Sequence, residues 1–164
     1  MQDKSVVVYF FLLLAFLSVG EAGGFSDRVA AFVDDEAITE SELQEQHRDT
    51  LKINPDITKD EVLNTMINRI LILREARKYR IERPSPEEVI KEYIDLKERA
   101  FIRVPEVEIE NYYKENRGMF PGKEYDDVRD EIEQYLIEKE LNVRLKETLL
   151  KLRKTAYIKI LGKK

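Results

Sequence analysis

The stretch DRVAAFVDDEAITESEL, residues 27–43, sets the frame for the rest of the chain. Arg28 to Val33 is short, apolar and partly β-branched. Asp34-Asp35-Glu36 has turn chemistry, and Ala37-Ile38 resumes an apolar course. This pattern predicts a strand with a tight turn, and two or three short strands are expected in the chain as a whole. Thr39 then opens a Thr-x-x-Glu pattern with Glu42. Its hydroxyl and carboxylate each satisfy a backbone N–H that the first turn of a helix leaves without a partner. A helix to about Thr50 follows.

Moving outward, the same start signal recurs. Thr58 and Glu61 open a long helix to about Tyr79, and Ser85-Pro86-Glu87-Glu88 opens another, with proline where its missing N–H costs nothing. Pro105 starts a fourth helix ending near Arg117-Gly118, and a fifth spans about Asp126 to Lys154. Residues Ala156 to Leu161 alternate as a final strand. The second helix carries Leu63, Met66, Ile67, Ile70, Leu71, Leu73 and Ala76, with Ile72 extending the stripe around. So broad an apolar arc marks a central core helix. In the fifth helix, Val128, Ile132, Tyr135 and Leu136 share one face, whereas Ile137, Leu141, Leu145, Leu149 and Leu152 fall on roughly the opposite one. A helix that buries opposite faces in its two halves bridges two packed sub-regions. Two isolated short strands are marginal in water, so residues 28–33 and 156–161 are expected to pair with each other. The fold expected is mainly α, five helices with a small sheet joining the N- and C-terminal strands.

Residues 1–22 read as a secretory signal: Lys4, an uncharged apolar run from Val6 to Val19, then Gly20-Glu21-Ala22 as a cleavage site. A retained membrane anchor is the competing reading, although the run is shorter than the about 20 residues a spanning helix needs. Residues 23–164 suit one domain. The protein is therefore expected outside the cytoplasm, in the periplasm or exported. With no cysteine, the chain has no disulfides, thiolate zinc or thiol catalysis. Its net charge of −5 comes from both signs interspersed along the chain, which argues against a nucleic-acid-binding surface. A charged fraction of 37% exceeds the typical value of about 25%, which fits either a thermophilic source or many exposed helix faces.

The chemistry-bearing residues are few. The single histidine, His47, sits in a charged helix with no partner set at catalytic or metal-ligand spacing, and reads as structural. Carboxylates fall at caps or at helical spacing from cations, as in Glu87 and Lys91, and read as solvated faces. No glycine-rich phosphate loop or nucleophile motif is present; Gly118 and Gly122 flank a turn. No catalytic residue, cofactor or metal site is expected. Phe101, Tyr112, Tyr113, Met119 and Phe120 form an aromatic-rich patch around the fourth helix. Two readings stay open for it: core packing, or an adaptable surface for apolar peptide.

In order, these segments resemble SurA-like periplasmic chaperones and the related PpiC/PrsA foldases. Residues 27–43 resemble the family's opening, NTMINRILILREARKYRI (64–81) its long core helix and PSPEEVIKEYI (84–94) the helix after it. VPEVEIENYYKENRGMF (104–120) is similar to the segment that runs into the isomerase domain. EYDDVRDEIEQYLIEKELNVRLKETLLKLRKTAYIKIL (124–161) is similar to the closing helix and strand. The resemblance implies a chaperone core built from both ends of the chain, binding unfolded exported or outer-membrane polypeptides without ATP, metal or cofactor. It also implies room for a homodimer formed by exchange of terminal segments. One departure is plain: relatives insert a parvulin domain between the tyrosine-rich helix and the closing helix, and here only Pro121-Gly122-Lys123-Glu124 lies there. Parvulin domains use histidines and a Cys or Asp around the prolyl bond, so isomerase activity is not carried over. The competing expectations are an envelope assembly subunit with one folded partner and, behind it, a prolyl isomerase.

Overall fold

The computed structural model describes residues 27–161, so the leader segment 1–22 lies outside the described residues. Strand β1 (Val29–Val33) turns through Asp34 and Asp35 into β2 (Glu36–Thr39), with Val33 opposite Glu36. Asp34 adopts a left-handed φ of 52°, a conformation that aspartate tolerates better than most residues. The last strand, β3 (Ile158–Ile160), pairs antiparallel on the other side of β1, giving the order β2-β1-β3. Its register sets Ala31 opposite Ile160 and Val33 opposite Ile158, so the two end segments do meet. The junction is locked at the turn. Asp34 N donates to the Tyr157 carbonyl at 2.8 Å, and Tyr157 N donates back to Asp34 Oδ1 at 2.8 Å.

Among the described residues five α-helices follow the β1–β2 turn: α1 (Glu40–Leu51), α2 (Lys59–Lys78), α3 (Pro86–Lys97), α4 (Glu106–Glu115) and α5 (Tyr125–Thr155). The Thr39–Glu42 and Thr58–Glu61 boxes form reciprocally, and the Ser85 hydroxyl accepts from Glu88 N. Helix α4 stops earlier than its sequence suggests. Asn116 leaves helical geometry, with its side-chain amide donating to the Tyr112 carbonyl at 2.8 Å, and a 3-10 turn over Arg117–Met119 replaces the expected last residues. No helix among the described residues is long and apolar enough to cross a membrane.

Packing divides the molecule into a body and a hairpin. In the body, Ala31, Val33 and Ile38 of the sheet bury against Leu43 of α1 and Leu63, Ile67 and Leu71 of α2. The far end of α2 continues into a second cluster, where Ile72 and Ala76 meet Tyr93 of α3. The end of α5 closes both, since Leu152 packs against each cluster. In the hairpin, Ile109 and Tyr113 of α4 bury against Val128, Ile132 and Leu136 of α5. Helix α5 is 31 residues long, about 45 Å at 1.5 Å per residue, and it runs through both regions. Its two apolar faces thus serve different neighbours, as their phase along the sequence predicts. Where body meets hairpin, polar contacts tie α3 to the middle of α5. Arg99 donates to Asp95 Oδ1 at 3.0 Å and to Glu138 Oε1 at 2.5 Å, and the Thr148 hydroxyl donates to the buried Glu98 carboxylate at 2.8 Å.

Candidate functional site

The five aromatic and methionine side chains singled out by sequence have different fates. Tyr113 is core: it is 6% exposed, and its hydroxyl donates to the Lys123 carbonyl at 2.9 Å, tying α4 to the turn that precedes α5. Phe120 and Tyr125 lean on the Tyr113 ring, at centroid separations of 5.9 and 5.6 Å. Tyr112 is half-buried against Tyr135 of α5, 5.1 Å away, and the loss of water around its hydroxyl raises its pKa. Only Phe101 and Met119 stand open, at 65% and 67% exposure. They lie in different turns, Phe101 after α3 and Met119 at the hairpin tip, and neither joins the hairpin core.

Sequence could not make this division, because all five residues are apolar or aromatic and what decides their burial is the approach of α5. The tip is tight: Gly122 has a φ of +73°, which a residue with a side chain would adopt only under strain. The side of the hairpin carries an ionic cluster. Glu106, at the start of α4, accepts from Arg129 Nε at 3.1 Å and Nη2 at 2.7 Å, and from the Tyr125 hydroxyl. The Arg129 bonds, followed by that of Tyr125, hold the Glu106 carboxyl below its ordinary pKa. Desolvation, then the bond to Glu106, pushes the Tyr125 hydroxyl up to about 12. The cluster is structural in kind, an exposed clamp across the two helices.

A second feature went unread in the sequence. A groove of about 410 Å³ lies between β2, α1 and α2. Its apolar floor includes Ile38, Ile57, Met66 and Ile70, and Glu36, Glu42, Arg69 and Glu87 stand on its rim. Met66 and Ile70 belong to the stripe that the sequence assigned wholly to the core, yet both are only half-buried. The stripe is wider than the partners available to cover it, and the uncovered edge becomes the groove. His47 helps fix the adjoining loop: Nε2 donates to the Ile57 carbonyl at 3.0 Å, which supports the structural reading of that residue. Among the described residues no group of three or more His, Asp or Glu side chains is arranged to hold a metal ion.

Comparison with known proteins finds no matching family model and no matching curated sequence.

Proposed function

We propose that the protein is an exported, ATP-independent chaperone of SurA-like type that holds unfolded envelope polypeptides. The observation that carries this reading is the placement of its parts. The first and last strands are neighbours in one sheet over a helical body, and α4 and α5 close into a hairpin through residues 121–124, where SurA-like foldases carry an isomerase domain. The surface supports the same reading. A holdase needs apolar area that is open to solvent but bounded by charge, so that it accepts extended chains without associating with itself. The groove beside β2, and the exposed Phe101 and Met119, have that character.

The test is light scattering of an outer-membrane porin diluted from urea, with and without the protein. Suppressed aggregation at a few-fold molar excess is the expected result, and unaltered aggregation overturns the proposal. Capture of one stoichiometric folded partner from the envelope, with no effect on the porin, would favour an assembly subunit instead.

A further inference from the structure

The groove beside β2 follows the outer edge of the sheet. Successive side chains of a strand point to opposite faces, so a cavity touching only one face would meet alternate residues. This groove touches Glu36, Ala37 and Ile38 in succession, so it runs along the edge of β2. That edge has no strand partner among the described residues, because β1 is the sole neighbour of β2 in the sheet order.

The hydrogen-bonding phase is fixed by the turn. Val33 and Glu36 flank a two-residue turn and form a hydrogen-bonded pair, so the amide and carbonyl of Ala37 face away from β1. The next outward amide, that of Thr39, is already taken by Glu42 Oε2 at 2.8 Å. Ala37 is therefore where an added strand gains backbone hydrogen bonds. An alternating chain laid there would place one set of side chains over Ile38, Met66 and Ile70.

Charge selects among such chains. The groove is lined by three carboxylates, Glu36, Glu42 and Glu87, and by one guanidinium, that of Arg69. Arg69 meets Glu87 at 2.5 Å and Arg77 reaches Glu36 at 3.1 Å from outside the groove, so the negative excess is the charge of Glu42. We infer that this groove binds an extended polypeptide segment in which aliphatic residues alternate with lysine or arginine, adding it as a strand to β2 at Ala37. The inference rests on the holdase reading and specifies the client segment it takes.

Fluorescence anisotropy with labelled peptides tests it, using a short alternating Val–Lys peptide and its Val–Glu counterpart. The Val–Lys peptide is expected to bind at least about tenfold more tightly, and more weakly as salt rises. Ala37→Pro removes the outward donor but leaves the pairing with β1, since proline is tolerated on a strand edge whose N–H faces out. It should weaken binding about fivefold with an unchanged thermal midpoint. Glu87→Lys, on the exposed rim, should weaken Val–Lys and strengthen Val–Glu binding, which keeps the question answerable if the proline variant does not fold. Equal affinity for the two peptides, or full affinity in a folded Ala37→Pro protein, would overturn the inference. Porin aggregation separates the two claims. Porin protection that persists while the two peptides bind equally removes the groove but not the holdase, whereas Val–Lys binding that depends on Ala37, in a protein that fails to protect the porin, upholds the groove and removes the holdase.

Discussion

The body and the hairpin are built from the same long helix but are held by different forces. In the body, strands and helices far apart in sequence converge on aliphatic side chains, and Arg153 of α5 reaches back to Asn68 Oδ1 of α2 at 2.8 Å. In the hairpin, two helices adjacent in sequence share one small core, stiffened by tyrosine rings and clamped by Glu106 and Arg129. Long-range aliphatic burial makes a cooperative unit, whereas a two-helix unit with exposed polar clamps opens locally at lower cost. On this argument α5 is expected to join a stable platform to an arm that opens while the platform stays folded.

The largest effect should separate the two directly. Ile67 and Ile132 are both essentially inaccessible, one at the centre of each core. Truncating Ile67 to alanine removes packing between sheet and helix and should cost about 2–5 kcal/mol in urea unfolding. Ile132→Ala removes the same atoms from the hairpin, and should chiefly accelerate amide exchange in α4 and the first half of α5. If Ile132→Ala lowered the protection of β1 and α2 as much as Ile67→Ala does, the hairpin would be part of one cooperative core with the body.

A smaller effect is expected at the seam that closes the body. Asp34 accepts from Tyr157 N at 2.8 Å, forms an ion pair with Arg74, and holds a left-handed backbone. Asp34→Gly loses the acceptor but keeps the backbone easy, and should cost about 1–3 kcal/mol. Asp34→Ala should cost roughly 1 kcal/mol more, from the left-handed φ alone. Equal midpoints for the two variants in thermal melts would refute the backbone argument.

Much of this division was legible in the sequence. The phase change along α5 between Leu136 and Ile137 announced two neighbours, and Thr39, Thr58 and Ser85 marked helix starts through local chemistry alone. Pairing of 28–33 with 156–161 followed because neither strand could stand by itself. What stayed hidden depends on distant approach. Tyr113 and Met119 look alike in sequence, yet one fills the hairpin and the other faces solvent. The cap of α5 was missed because glutamate at that position is outside the usual pattern, although Glu124 N donates to Asp127 Oδ2 at 3.0 Å, three residues on. The half-buried Met66 and Ile70 show that a hydrophobic stripe gives the apolar width of a helix and not how much of that width its neighbours cover.

The smallest effect, and the most selective, is the response of the arm to pH. The folded state holds Glu106 below its ordinary value of 4.5, because Arg129 and Tyr125 both donate to the ionised form. Its contribution is therefore complete above the unfolded value and is lost as pH falls through the depressed folded one. Tyr125 works from the other side. Its folded value near 12 lies above the ordinary 10.0, so its contribution is complete below 10 and disappears as pH rises through the folded value. The clamp is exposed and screened by salt, so its loss should be felt locally. Amide exchange on acidification should speed up in residues 106–115 and 125–136 while Ala31, Ile67 and Leu71 keep their protection. Glu106→Gln should remove the acid step from the hairpin and leave the body's acid response unchanged. Simultaneous loss of protection in body and hairpin, unaltered by Glu106→Gln, would mean that the arm has no independent opening and that α5 transmits every disturbance along its whole length.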